Sequence, residues 1–177
     1  LEPLAKIIMS FPTTFNEENI KKFLNENVKT TDDAIQGAKY IIAEWISDNA
    51  YYRKWIRSYF YKNAMITSKL KKNAEDENKT YEMYYDFQDT IKYIKHYRVL
   101  AINRGENEKI LTVSIDMDNE AIEAYLEKKL IKNSESFVVD LIKSSIKDSL
   151  KRLILPSIER EIRSELTEYA DEKAIKV

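Results

Sequence analysis

The sequence predicts a mainly α-helical fold, a multi-helix domain with one short two-stranded antiparallel β pair formed by residues 65–72 and 110–116. Three observations support this class. Apolar residues recur at helical spacing along most of the 177 residues. The two glycines and three prolines are too few for the turns of an all-β sandwich. Only two runs, MITSKLKKN from residue 65 and ILTVSID from residue 110, alternate as strands do, so each has only the other as a partner.

The N-terminal third of the chain predicts three helices. Two short helices, at residues 3–10 and 16–25, precede a longer one that opens with a capping box formed by Thr30 and Asp33. Its apolar face comprises Ile35, Ala38, Ile42, Trp45 and Ile46. Gly37 lies within this helix, where glycine costs about 1 kcal/mol relative to alanine. We therefore expect Gly37 to allow a close helix–helix crossing.

The next segments predict a helix, the first strand, a loop and another helix. Asp48 or Asn49 caps a helix whose single apolar stripe comprises Tyr52, Trp55, Ile56, Tyr59 and Phe60. After the strand, residues 74–80 are polar and predict a solvated loop. Residues 80–94 return to a helical period, which is carried by Tyr81, Tyr84, Gln88, Ile91 and Ile94. The sequence therefore predicts a helix directly before residue 98.

A helix at residues 98–104 is expected to end at Gly105, ahead of the second strand. Glycine adopts a positive φ without steric penalty, which suits the position after a helix end. In this interpretation Arg104 is a last-turn cation near exposed carbonyls and Glu106 is a solvated loop acid. A further capped helix follows at residues 118–131.

The C-terminal segment predicts two consecutive helices. Pro156 has no backbone N–H to donate, so the first helix should stop or kink near Ile154 and the second should start with Pro156 in its first turn. The apolar face of the second helix comprises Ile158, Ile162, Leu166, Tyr169 and Ala170. Residues 1–177 then form one helical region, which allows a subdivision into a core at 1–132 and a helix pair at 133–177.

The composition gives no support to enzymatic classes. The chain has no cysteine, which excludes disulfides, thiolate nucleophiles and zinc sites with Cys ligands. It has one histidine, His96, and no phosphate loop, nucleophile–base pair or carboxylate cluster at ligand spacing. No apolar run approaches the roughly 18 residues of a membrane span. We therefore expect no catalysis, no metal, no cofactor and no membrane partner.

Residues 51–72 are the strongest candidate for a binding surface, because they contain basic side chains and no acid. The candidate contacts are Arg53, Lys54, Arg57, Lys62, Lys69, Lys71 and Lys72. The interleaved aromatics are Tyr51, Tyr52, Trp55, Tyr59, Phe60 and Tyr61. Cations that neutralise phosphates and rings that stack on bases are the two components of single-strand binding. The alternative is that the aromatic stripe is core and the lysines are only a solvated face, as we expect for Lys143, Lys147 and Lys151.

Three longer motifs carry a family resemblance. They are IQGAKYIIAEWIS (35–47), RVLAINRGENEKIL (98–111) and KRLILPSIEREIRSELTEYADEKAIKV (151–177). In this order and spacing they resemble the N-terminal helical region of the Tex family, bacterial transcription accessory proteins related to eukaryotic elongation factors. The family usually has histidine directly before the first arginine of the second motif. Here Tyr97 stands there, which argues against a role for His96.

The resemblance implies a cytoplasmic protein that acts with RNA or DNA, with the rest of its own chain and with the transcription machinery. It places the YqgF-like, helix-hairpin-helix and S1 domains outside this chain. The motif residues are expected to be framework, with arginines that bridge helices through forked hydrogen bonds. They are Gly37, Arg98, Arg104, Gly105, Glu106, Arg152, Pro156, Arg160 and Arg163. Two functions remain open, a nucleic-acid-binding helical module and a structural platform for the other domains.

Overall fold

The computed structural model describes residues 1–176, most of them in helices. The helices are α1 (Glu2–Met9), α2 (Glu17–Lys21), α3 (Thr31–Asp48), α4 (Ala50–Asn63), α5 (His96–Asn107), α6 (Glu120–Leu130), α7 (Val139–Asp148) and α8 (Leu155–Lys176). The strands are β1 (Met65–Leu70), β2 (Asp86–Thr90) and β3 (Leu111–Asp116). A 3₁₀ turn lies at Glu82–Tyr84 and a π-helical segment at Ser149–Ile154.

These elements form two compact units, each of which is discontinuous in sequence. The first comprises Leu1–Lys54 and Asn119–Pro156. The second comprises Trp55–Asp118 and the residues from Ser157 onward. Each unit draws on residues from both sides of position 132, where the sequence allows a subdivision.

The first unit is a helical assembly around α3. Its neighbours α1, α2, α7 and the π-helical segment all contact α3. Thr30 caps α3 as predicted, because its hydroxyl accepts a 3.1 Å hydrogen bond from the Asp33 N–H. The buried Ser149 hydroxyl donates to the Ala43 carbonyl at 2.7 Å, which ties the π-helical segment to α3. The core of this unit includes Ile42, Ile122 and Ile142, which have no exposed surface.

The second unit contains a three-stranded antiparallel sheet with the strand order β2-β1-β3. In β1, Met65 lies opposite Asp116 of β3 on one side and opposite Thr90 of β2 on the other. The two alternating runs therefore pair as predicted. The prediction of a two-stranded sheet is nevertheless wrong, because residues 86–90 form a third strand along the free edge of β1.

The helix predicted at residues 80–94 is replaced by the 3₁₀ turn and β2. Tyr81 and Tyr84 are both buried at a spacing of three residues, which a 3₁₀ turn shares with an α-helix. The β2 sequence, DFQDT, has low intrinsic strand propensity. Its two aspartates suit an edge strand, where charge discourages pairing with other chains.

Gly105 does not have the predicted positive φ. Helix α5 continues to Asn107, and Lys109 instead takes the positive φ, of 64°. A Cβ built on Gly105 would contact Leu111 Cδ1 and would lie 2.7 Å from Leu111 Cγ, well inside van der Waals distance. Gly105 is therefore required for the close packing of α5 on β3, and the turn is made by the residues after it.

The helix before Pro156 does not stop at Ile154. The π-helical segment joins α7 to α8, and the Leu155 N–H donates to the carbonyl of Leu150, five residues back. A π turn holds one residue more than an α turn, and such insertions occur where proline removes a helical hydrogen bond. Pro156 then lies in the first turn of α8, as predicted.

Candidate nucleic-acid interface

The predicted surface at residues 51–72 divides between the two units. In the first unit, Arg53 caps the end of α3, because its Nε donates to the Ser47 carbonyl at 2.6 Å and its Nη2 to the Ser47 hydroxyl at 3.3 Å. Lys54 is exposed. One of the two cations on this side is therefore committed to holding a helix end.

In the second unit, the arginine and the lysines of the surface have different environments. Arg57 Nε lies 3.0 Å from Glu161 Oε2, although the N–H is not directed for a hydrogen bond. Four lysines are exposed and make no ion pair within residues 1–176, namely Lys62, Lys69, Lys71 and Lys72. These four side chains, which we call the lysine group, are the part of the predicted surface that remains open to a phosphate backbone.

Most aromatic side chains of residues 51–72 are at least partly buried. Trp55 and Tyr59 stack on each other, with ring centroids 5.2 Å apart and planes 11° from parallel, and both are partly buried. Phe60 is buried, whereas Tyr51 is exposed. The surface therefore keeps cations but offers few rings on which bases could stack.

Residues of the second and third motifs meet in a clasp between α5 and α8. The Arg163 guanidinium donates to both carboxylate oxygens of Glu106, at 2.6 and 3.2 Å, and to Asn103 Oδ1 at 3.0 Å. Asn103 in turn donates to the Thr167 hydroxyl at 2.9 Å. Such a forked arrangement fixes both distance and orientation, so Arg163 and Glu106 have a structural role here.

The other motif residues are distributed over both units. In the first, Arg152 donates twice to Asp148, at 2.9 and 3.2 Å, and lies 5.1 Å from the Tyr40 ring centroid. A Cβ on Gly37 would contact the Leu1 side chain, just before α1, so α3 comes close to the beginning of α1 there. Pro156 lies at the junction with α8.

In the second unit, Arg98 lies 5.5 Å from the ring centroid of Phe87 and 5.6 Å from that of Tyr97. Arg104 and Arg160 are exposed and form no ion pair with other described residues. The motif arginines are therefore not equivalent, since only some of them join elements together.

A groove that the sequence did not reveal lies in the second unit, with a volume of about 480 Å³. We call it the tyrosine groove. It is lined by Tyr61, residues 91–95, Glu165, Leu166 and Tyr169. The Tyr93 side chain is 69% exposed and that of Tyr169 is 46% exposed. The Tyr61 hydroxyl is buried and has no hydrogen-bond partner among the described residues.

Each exposed ring of the tyrosine groove has an ammonium group near it. Lys92 Nζ lies 5.3 Å from the Tyr93 ring centroid, and Lys173 Nζ lies 5.9 Å from that of Tyr169. The only sequence signal for this site is the stretch from Thr90 to Gly105, which contains four lysines and arginines and no acid. Tyr93 lies outside the apolar stripe predicted for residues 80–94, but nothing in the sequence places it beside Tyr169.

A second groove, of about 670 Å³, lies along the α5–α8 clasp. Its charged lining consists of two arginines, Arg104 and the clasp residue Arg163, and three acids, Glu106, Glu168 and Asp171. This acidic lining is unfavourable for a phosphate backbone. The described residues contain no group of three acidic, histidine or cysteine side chains that could hold a metal ion. No helix within residues 1–176 has the length and apolar character needed to cross a bilayer.

Comparisons with known proteins relate the whole chain to one family. Residues 12–177 match the model of the Tex central region-like family. YdcI of Bacillus subtilis is 47% identical over the entire chain, which covers 25% of that relative. The human S1 RNA-binding domain-containing protein 1 is 30% identical over 99% of the chain and 19% of its own length. The transcriptional accessory protein Tex of Neisseria gonorrhoeae is 26% identical over the entire chain and 24% of its own length.

The chain thus spans a quarter or less of the length of these relatives. The family match covers the three motifs on which the resemblance rests, together with the clasp and the tyrosine groove. The chain belongs to the Tex family, as a segment of its central region.

Proposed function

We propose that this chain is a non-catalytic segment of a Tex-type transcription accessory protein and that it adds a weak, sequence-independent nucleic-acid contact to the parent protein. The observation that carries the proposal is the exposure of the lysine group, in a stretch without acids, on a chain whose relatives are named for transcription and RNA binding. Flexible ammonium groups suit contacts to phosphates, which carry no sequence information.

The charge distribution sets the expected strength of this contact. The chain has a net charge of −1, so it exerts no general attraction on a polyanion, and binding depends on local clusters such as the lysine group. Contacts of this kind release counterions, and for single strands each contributes a slope of about −0.7 in log affinity against log salt. We expect micromolar or weaker affinity and a slope near −2, which corresponds to about three contacts.

The test is fluorescence anisotropy of labelled single-stranded oligonucleotides, titrated with the chain at several salt concentrations. Replacing Lys69, Lys71 and Lys72 with glutamine should flatten the salt dependence. The matched control replaces Lys143, Lys147 and Lys151 with glutamine, which removes the same charge from three exposed lysines elsewhere. Two results would refute the proposal. One is the absence of binding at about 50 mM salt, where screening is weak, and the other is an equal loss of affinity in the two triple variants.

A second candidate is a structural platform that positions the other domains of the parent protein without touching nucleic acid. The α5–α8 clasp favours it, because Arg163 donates three hydrogen bonds to Glu106 and Asn103 and so joins two helices. The two candidates differ in one measurable respect. A pure platform predicts that the parent protein binds nucleic acid equally well when Lys69, Lys71 and Lys72 are replaced with glutamine.

A further inference from the structure

We propose that the tyrosine groove binds a base of a single-stranded nucleic acid, stacked on Tyr93 and Tyr169, with the flanking phosphates held by Lys92 and Lys95. This inference rests on the proposed function and adds a stacking site to the electrostatic contact of the lysine group. Single-strand binding combines cations along the backbone with aromatic platforms, and the tyrosine groove has both within one concavity.

The two tyrosines are the first argument. Tyr93 and Tyr169 project large ring surfaces into the same groove although they come from distant parts of the chain. Every base has a π face, so stacking on such rings tolerates any sequence. Each tyrosine ring has two faces. The Lys92 and Lys173 ammonium groups near the two rings would attract the phosphate next to a stacked base.

The charge distribution around the groove also supports the proposal, and it sets the orientation of the bound strand. The wall formed by residues 91–95 contributes Lys92 and Lys95 and belongs to a stretch, Thr90–Gly105, that has no acid. The opposite wall contributes one acid, Glu165. Phosphates would therefore follow the lysine wall. The Glu165 carboxylate, which accepts hydrogen bonds, would face the base, whose exocyclic amino groups donate them.

The interior of the groove is the third argument. Ile91, Ile94 and Leu166 are buried and supply an apolar floor. The buried Tyr61 hydroxyl beside that floor has no partner in the described chain, and a buried polar group without a hydrogen bond costs free energy. The volume of about 480 Å³ falls in the range of about 300–1,000 Å³ that small-molecule sites occupy. The groove therefore has an apolar floor and room for a base.

The experiment measures anisotropy of fluorescein-labelled rU12 and dT12 with the wild-type chain and four variants. Tyr93→Ala and Tyr169→Ala should each weaken binding of both probes by about 5-fold or more, the range seen for loss of one stacked base. Their salt slope should stay unchanged, because stacking releases no counterions. Tyr93→Trp should restore the affinity. The control is Tyr40→Ala, since Tyr40 is 48% exposed and carries a cation near its ring but lies outside the groove.

The results separate the inference from the function on which it rests. If the wild-type chain binds with a salt slope but Tyr93→Ala and Tyr169→Ala bind equally well, the stacking site is refuted and the proposed function stands. The same conclusion follows if Tyr40→Ala weakens binding as much as Tyr93→Ala. A groove that takes a peptide instead of a base would give the first of these results. No binding by the wild-type chain refutes the proposed function itself.

Discussion

Gly105 determines how closely helix α5 approaches strand β3, so the addition of one methyl group at this position tests that packing. Gly105→Ala should lower the free energy of unfolding by about 1 kcal/mol, and by at most about 2 kcal/mol. Overpacking costs roughly 1–3 kcal/mol, and the better helix propensity of alanine returns about 1 kcal/mol. The added Cβ would collide with Leu111, which is buried and held in the sheet. Urea denaturation followed by circular dichroism measures the change.

Gly37→Ala is the matched control, because Gly37 also lies in a helix and its Cβ would also meet a leucine. The contacted atom is the end of the Leu1 side chain, which is not fully buried and can rotate away. Gly37→Ala should therefore be neutral or should stabilise the protein by about 0.5–1 kcal/mol. If both variants lose the same stability, the packing role of Gly105 is wrong.

The environment of Glu159 should make the stability of the protein depend on pH. Burial, and then the nearby Asp116 carboxylate, raise the pKa of Glu159 above its usual value. Folding therefore favours the protonated form, and the resulting stabilisation is complete below the ordinary pKa and is lost as the pH rises through the raised value. Glu159→Gln, which is uncharged at any pH, should melt at a higher temperature than the wild type near pH 7. The difference should disappear near pH 4, where most of the wild-type carboxyl is protonated. A constant difference across this range would contradict the assignment.

At the scale of elements, the clasp between α5 and α8 depends on the planar fork of Arg163. Arg163→Lys keeps the charge but cannot reproduce the paired hydrogen bonds to Glu106. We expect a loss of about 1 kcal/mol in the free energy of unfolding, a modest value because both side chains are partly exposed. Arg160→Lys, one turn earlier and without an ion pair to any residue that the structure describes, should stay within about 0.5 kcal/mol of the wild type. Equal effects at the two positions would remove the structural role of the clasp.

The elements differ in how much of them the sequence could predict. Strands β1 and β3 could be predicted because burial alternates along them: Ile66 and Ser68 are buried in β1, and Leu111 and Ile115 are buried in β3. Strand β2 was not, because DFQDT is a strand only through its pairing with β1, a long-range contact without a local signal. The π-helical segment escaped prediction for a related reason. Proline indicates a lost hydrogen bond, but the surrounding packing decides whether the helix ends or widens.

The candidate site, too, could be predicted from the sequence only in part. Exposed lysines follow from charge alone, and the aromatic stripe at Trp55 and Tyr59 was compatible with either core or surface. The ion pair between Arg57 and Glu161 could not be predicted from the sequence, because the two residues lie about a hundred positions apart. The tyrosine groove combines Tyr61 with residues 91–95 and 165–169, so no window of sequence contains it.

At the scale of the whole molecule, charge is separated along the chain although the total is close to neutral. Acids and bases nearly cancel, at 30 Asp and Glu against 29 Lys and Arg, while residues 51–72 and 90–105 contain no acid. Such a chain should contact a polyanion only through these stretches and should repel it elsewhere. Both the lysine group and the tyrosine groove belong to the second unit. We therefore assign nucleic-acid contact to that unit.

Photo-cross-linking tests this assignment most directly. A single-stranded oligonucleotide containing 5-iodouridine, a base that couples to nearby aromatic side chains on irradiation, would be mixed with the chain, irradiated and digested for mass spectrometry. We expect adducts on Tyr93 or Tyr169, which excess unlabelled oligonucleotide suppresses and high salt reduces. Adducts confined to residues 1–54 and 119–156, or no adducts at protein concentrations that saturate the anisotropy signal, would contradict it.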